Sequence, residues 1–414
     1  MAEAIERLQE AHRLQALNEK NDPLDFVFGD LAETFMAAET AVLAALVHFT
    51  QPAPIAWLLP LTGLSEKAAE TALDGLRDRA LLVEDDVAGT WLLPPLAARY
   101  LRRVRPEAVG ASGERLAEQA YALAVENGYQ EYDRFPVLEA AWPQLAAAWP
   151  LLLAGDNARL QEVCNALSPF LNNVTNRWDD LLVLATEAEA KAGRTKDFIS
   201  AGWRAYSAGE IHFKRGQAAE VLACAERAAA HWQATSASAN ERALVFRLHG
   251  FGYELANDYP AALTAYQETL VLWRSLSPKS ESMAVGLGDV ARALSRLGQI
   301  DEAETLFREA LAMAKALFDR ECIAVFTGHL VELTLARQQW PEGERLAREA
   351  LKLSEKIGYK EMIAYSCWRL AKALERQGRG AEGRCHAERA VAIFAELRSK
   401  ELAEAQAMLA ECQA

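Results

Sequence analysis

The sequence predicts a mainly α chain, with an α-solenoid of about six stacked helix pairs behind a smaller mixed domain. Three observations predict it. A turn residue, an anchor two positions on and an alanine-rich amphipathic stretch recur with anchors at Trp178, Ala218, Tyr259, Ile300, Trp340 and Gly380, spaced 40, 41, 41, 40 and 40 residues apart. Apolar residues throughout this half repeat at three and four, the period of one helix face, with no strand-like alternation. Before residue 106 the pattern changes to helices around a short hairpin.

Taken in order, residues 1–30 form an N-terminal extension that reads like the tail of something preceding, without a signal-peptide core. Within 31–105, an apolar helix is predicted over about 33–48, then a turn containing Pro52 and Pro54 and an apolar segment at 57–61. Ser65 is placed to cap a helix over 66–80, with Ala69, Leu73 and Leu76 on one face. Residues 81–84 and 90–93 read as a two-stranded hairpin around a turn at 85–89, and Pro94 and Pro95 open a helix carrying Leu96, Tyr100 and Leu101.

This order resembles a winged helix. The stretches Leu76-x-x-Arg79-Ala80-Leu81-Leu82 and Leu93-Pro94-Pro95-Leu96-Ala97-x-x-Tyr100-Leu101 resemble the winged-helix segment of STAND-class (NB-ARC-like) signalling ATPases. In that family the domain follows a nucleotide-binding module and precedes a repeat sensor. Residues 106–160, with Leu138-Glu139-Ala140-x-Trp142-Pro143-x-Leu145 and Trp149, look like the helical connector leading into such repeats.

Residues 161–414 carry the repeats. The clearest copy reads Phe246-x-x-His249-Gly250-x-x-Tyr253, then Asn257-Asp258-Tyr259-x-x-Ala262-x-x-x-Tyr266. It resembles the tetratricopeptide repeat, in which a small residue at a helix crossing, an aromatic filler and a turn make a pair that buries its apolar face only by stacking on neighbours. Further copies run through Gly209, Gly216, Ala225 and Ala228; Leu294, Gly298, Ala303, Phe307 and Ala310; Leu330, Ala347 and Ala350; and Leu370, Gly378, Ala387 and Ala390. The copy around Ser168, Asn176, Trp178, Ala185 and Ala188 is the most degenerate, as expected of a terminal repeat. A period above the usual ~34 residues predicts helices longer by close to a turn.

No G-x-x-x-x-G-K-[ST] loop occurs, so no ATPase is assigned to this chain, and the resemblance implies either a C-terminal fragment of a longer protein or a stand-alone relative that lost the motor. The family often places a histidine just before the helix after the hairpin, to contact nucleotide; here Pro94 stands there. The histidines, His249 and His329 among them, show no metal spacing, and no nucleophile elbow or carboxylate pair suggests catalysis, so the chain is read as a non-enzyme without cofactor or metal. Six cysteines, Cys164, Cys224, Cys322, Cys367, Cys385 and Cys412, stand singly and read as small buried residues plus one near the C-terminus.

No apolar run approaches the ~18 residues of a membrane span, which predicts a cytoplasmic protein without membrane contact. A net charge of −14 disfavours broad nucleic-acid binding. The candidate recognition helix carries Glu66, Lys67, Glu70, Asp74, Arg77, Asp78 and Arg79, a net of −1, and its wing Glu84, Asp85 and Asp86. The only nearby basic cluster, Arg99, Arg102, Arg103 and Arg105, suits a helix C-terminus.

The first helix of each pair lines the concave side of such an array. That places Trp203, Tyr206, Phe213, Lys214, Arg247, Phe251, Arg292, Arg296, Tyr365, Trp368, Lys372 and Arg376 on or near a groove rich in Arg and aromatics, residue types favoured at interaction hot spots. The expected function is ligand sensing or protein interaction in a STAND-like regulatory protein, with a peptide, a protein or a small effector in the groove. The alternative is a transcription regulator whose winged helix contacts DNA. Oligomeric state is not legible.

Overall fold

The computed structural model describes residues 34–85, 88–174 and 177–413. The expectations for residues 1–30 and for Asp86 and Asn176 therefore lie outside the described residues. The protein is a mainly α solenoid preceded by a small mixed α/β region, and its internal contacts divide it into two compact units. The first takes in 34–126 and 136–159, the second 127–135 and 160–413.

In the first unit, α1 (Ala37–Leu46) begins where the Met36 backbone N–H donates to the Glu39 carboxylate at 2.8 Å. β1 (Ala53–Pro54) leads into α2 (Ile55–Thr62), which Gly63 ends at φ 70°, and α3 (Glu66–Asp78) follows. Ser65 occupies the N-cap of α3, but its side chain makes no capping bond; its carbonyl accepts from Ala68 and Ala69 instead. Ala69, Leu73 and Leu76 are buried on one face. β2 (Val83–Asp85) pairs antiparallel with β3 (Thr90–Leu92), and α4 (Pro95–Val104) follows with Pro94 as its N-cap.

The sheet departs from the expected two-stranded hairpin. Ala53 pairs with Trp91 and Pro54 with Thr90, giving three strands in the order β1-β3-β2. Two residues beside two prolines carry too little pattern to be read as a strand. α5 (Pro106–Asn127) packs on α1 through Ser112, whose hydroxyl donates to Ala44 O at 2.9 Å, and on α6 (Phe135–Ala154) through a Gln144–Gln119 side-chain bond of 2.9 Å.

One expectation fails here. The 23 residues Tyr132–Ala154 are helical and contain an 18-residue window of mean hydropathy 1.2, long and apolar enough to cross a membrane by length and composition. Asp133, Arg134 and Glu139 hide this stretch from a search for uninterrupted apolar runs. Leu138, Trp142, Leu145, Trp149 and Leu152 are buried on one face, while Glu139 is exposed, the one-sided pattern of a core helix.

The second unit holds α7 (Asn157–Pro169), α8 (Trp178–Arg194), α9 (Phe198–Lys214), α10 (Ala218–Gln233), α11 (Ala239–Leu255), α12 (Tyr259–Leu276), α13 (Glu281–Arg296), α14 (Ile300–Ala316), α15 (Arg320–Ala336), α16 (Trp340–Ile357), α17 (Lys360–Glu375), α18 (Gly380–Leu397) and α19 (Leu402–Glu411). The six sequence anchors are the first residues of α8, α10, α12, α14, α16 and α18. Two residues before five of them the backbone turns left-handed, at Gly216, Asn257, Gly298, Gln338 and Gly378. Glycine adopts that conformation without a Cβ clash, and asparagine tolerates it better than most residues.

Helices α9 to α18 run 16 to 18 residues, the lengthening that the long period implied. Their crossings are built from Ala225, Ala228, Ala262, Ala303, Ala310, Ala347, Ala350, Ala387 and Ala390, all fully buried, with Tyr266, Phe307 and Phe394 as fillers. At Gly250 a Cβ would stand 2.3 Å from the Tyr266 ring, so only glycine lets α11 and α12 approach this closely. Cys385 is the exposed thiol and Cys412 is buried, reversing the expectation of a C-terminal exception.

Candidate functional site

The inner helices α9, α11, α13, α15 and α17 each turn one face, at spacings of three and four, toward a common chamber of about 280 Å³. Arg247, Phe251 and Glu254 come from α11; Asp289, Arg292 and Arg296 from α13; Glu321, Val325, His329 and Glu332 from α15; and Glu361, Tyr365, Trp368 and Arg369 from α17. Phe213 and Lys214 end α9, and Lys400, Glu401 and Glu404 enter from the α18–α19 turn and α19.

The array closes on itself. The Lys400 backbone N–H donates to Lys214 O at 3.3 Å, and the Lys214 ammonium meets Glu361 at 2.8 Å and donates to Asn172 Oδ1 at 2.8 Å. Lys214 also lies 5.3 Å from the Trp178 ring and 5.4 Å from that of Tyr359. Tyr132, on the 127–135 segment, donates its hydroxyl to Glu321 at 3.0 Å. First and last repeats thereby share one polar clasp.

Inside, two arginines are held by acids of neighbouring repeats. Arg247 donates to Asp289, 42 residues away, at 2.6 Å, to Glu210 at 3.0 Å and to the Tyr206 hydroxyl. Arg292 donates to Glu254, 38 residues away, at 3.0 Å and to the Tyr266 hydroxyl at 3.1 Å, and meets Asp289 at 3.0 Å. Burial opposes both charges, but Asp289, Tyr206 and Glu210 around Arg247, and Glu254, Tyr266 and Asp289 around Arg292, outweigh it and hold both guanidiniums charged. Phe213 and Phe251 stack at 4.2 Å between them.

On the α15–α17 side, Arg369 donates to Glu332, 37 residues away, at 3.0 Å, while its Nη1 is buried with no hydrogen-bond partner. Against burial, the His329 hydrogen bond and then the Arg369 charge hold Glu332 well below the usual carboxylate range. Burial pushes His329 down, and its ring stacks on Phe307 at 4.8 Å. Burial also pushes Glu321 up to about 7, with Lys214 and the Tyr132 hydroxyl pulling the other way and Asp319 and Glu281 adding to the rise. Among the described residues no group of His, Cys, Asp and Glu could hold a metal ion.

Of the residues placed in the groove from sequence, Phe213, Lys214, Arg247, Phe251, Arg292, Arg296, Tyr365 and Trp368 line the chamber. Trp203, Tyr206, Lys372 and Arg376 do not. Trp203 packs edge-on against Trp232 and Tyr206 at 6.0 and 5.9 Å, and Arg376 pairs with Glu411 at 3.1 Å. Lys372 is half-buried on α17. Sequence reading passed over the acids Glu254, Asp289, Glu321, Glu332, Glu361 and Glu401, all of which line the chamber. A signal existed, since the chamber arginines Arg247, Arg292 and Arg369 are answered by acids 42, 38 and 37 residues away.

Residues 241–316 match the tetratricopeptide-repeat family model. No curated protein matches the chain. Among solved structures, the chain is similar to a signal transduction ATPase with numerous domains carrying a tetratricopeptide-repeat sensor, from Pyrococcus horikoshii, at 11% identity over 95% of this chain and 66% of that one, TM-score 0.40. It is also similar to a Rap protein complexed with competence and sporulation factor, at 11% identity over 91% and 98% of the two chains, TM-score 0.47. A third likeness is to aspartyl phosphate phosphatase F from Bacillus subtilis, at 13% identity over 90% and 93%, TM-score 0.43.

Proposed function

We propose that the chain is a non-catalytic, cytoplasmic sensor segment of a STAND-like regulatory protein, and that the chamber inside the repeats is where its ligand binds. One observation carries this reading: a partly open cavity walled by aromatic rings and charged groups of both signs lies among the inner helices of the repeats. Pockets of this make-up, mostly preformed with a few convergent polar groups, are the usual small-ligand sites of proteins. A ligand bridging several inner helices would bias how the repeats close, and that supplies a signal.

Residues 31–105 act in this reading as a winged-helix relay and 106–160 as its connector. The order helix, strand, two helices, hairpin, helix and the sheet order β1-β3-β2 support it. Charge weighs against the DNA-reading alternative. Arg77 of α3 is engaged by Glu84 at 2.8 Å and Asp74 at 3.0 Å, and Arg79 by Glu39, so two of the three cations of α3 and its C-cap are spent inside the unit.

The test is thermal unfolding against pools of peptides and metabolites, for the natural chain and for Val325→Trp, which fills the chamber. A compound that raises the melting temperature of the natural chain alone supports the reading. An equal rise in both places the ligand elsewhere.

A further inference from the structure

We propose that the chamber recognises a free α-amino acid with an aromatic side chain, its ammonium and carboxylate read together by the α18–α19 segment. The inference rests on the chamber being the ligand site and adds the chemistry of the ligand.

Size comes first. At about 280 Å³ the chamber lies at the lower edge of the ~300–1,000 Å³ range of pockets for drug-sized ligands, which favours a small metabolite over an extended chain. The closed clasp between Lys214 and Glu361 narrows the choice in the same direction.

Charge comes second. Lys214, Arg247 and Arg292 have their donors taken up within the chain. Three cations keep capacity, Arg369 among them, since its buried Nη1 has no hydrogen-bond partner. Among the described residues Lys400 has no ion-pair partner, its ammonium resting 4.0 Å from the Phe213 ring, and Arg296 reaches an acid only at 4.0 Å, at Glu332. Two acids keep capacity as well. Glu401 accepts the Tyr365 hydroxyl at 2.8 Å, and among the described residues neither it nor Glu404 has an ion-pair partner.

Lys400, Glu401 and Glu404 sit within one short stretch of chain, and the Glu401 charge reaches both Arg296 and Lys400. A purely anionic ligand would satisfy the cations and repel the acids; a purely cationic one would do the reverse. A head carrying both charges on neighbouring atoms satisfies both sets, and that is the chemistry of an α-amino acid. Phe213, Val325, Met362 and Trp368 wall the remaining space and suit a flat apolar side chain.

Isothermal titration of the full chain with L-tryptophan, L-phenylalanine, N-acetyl-L-tryptophan and L-tryptophan amide tests this. One free amino acid is expected to bind, and acetylation or amidation each to weaken binding at least about tenfold, since charged partners in the chamber are left unpaired. Lys400→Met is expected to erase the penalty of amidation and Glu404→Gln that of acetylation. Glu404 is exposed, so its variant tests the idea even where Lys400→Met fails to fold. Blocked forms binding as well as free ones overturn the proposal. Binding of neither amino acid, while a pool compound still binds the natural chain and not Val325→Trp, overturns it and leaves the chamber as the ligand site.

Discussion

Lys214, the last residue of α9, and Glu361, in the first turn of α17, form an ion pair of 2.8 Å that joins an early repeat to a late one. Their side chains are 15% and 8% exposed, so neither charge is well hydrated if the other is removed. Lys214→Met is expected to cost about 3–5 kcal/mol by stranding Glu361. Urea unfolding checks this, with Lys214→Met combined with Glu361→Gln recovering much of the loss; equal losses in the single and double variants would show that the pair is not coupled.

Arg247 binds inside the chain rather than waiting for a partner. Arg247→Ala leaves Asp289, only 4% exposed, with Arg292 as its remaining counter-charge and is expected to destabilise by about 2–3 kcal/mol whether or not ligand is present. Denaturant melts with and without ligand separate this structural loss from a binding loss.

Glu321 gives a pH dependence of definite sign. Its carboxyl holds its proton up to about 7 in the folded chain against 4.5 ordinarily, so over that window the folded state binds more protons than the unfolded state. Stability therefore falls as pH rises from about 4.5 to 7 and levels off above, by on the order of 2 kcal/mol after allowing for solvent at a half-buried site. Glu321→Gln should flatten this part of the profile. A profile unchanged by the substitution would rule Glu321 out as its source.

Gly250→Ala places a methyl 2.3 Å from the Tyr266 ring. Because Tyr266 is fully buried and bonded to Glu254 at 2.8 Å, it cannot swing aside freely. A loss of about 1–3 kcal/mol is expected, with a lower melting temperature as the measure.

Thiol alkylation of the native chain should mark Cys385 alone. Burial raises the thiols of Cys164 and Cys224, and that of Cys367 to about 11, so these neither ionise nor meet reagent readily. Peptide mapping after brief iodoacetamide treatment reads the outcome.

The sequence by itself determined the repeat. Anchors 40 and 41 residues apart begin α8 to α18, because turn residues at Gly216, Asn257, Gly298, Gln338 and Gly378 and small residues at each crossing are local requirements written into each copy. Most of the first unit was legible for the same reason, β1 excepted, since Ala53 and Pro54 become a strand only by pairing with Trp91 and Thr90. Tertiary structure alone decided the site. Small rotations between repeats add up until Lys400 meets Lys214, and that closure, invisible in any single copy, determines which cations are spent on Asp289, Glu254 and Glu361 and which still face the chamber. Helix faces are set by neighbours three and four residues away, whereas charge compensation is set by neighbours a repeat or more away, and only the folded array brings those together.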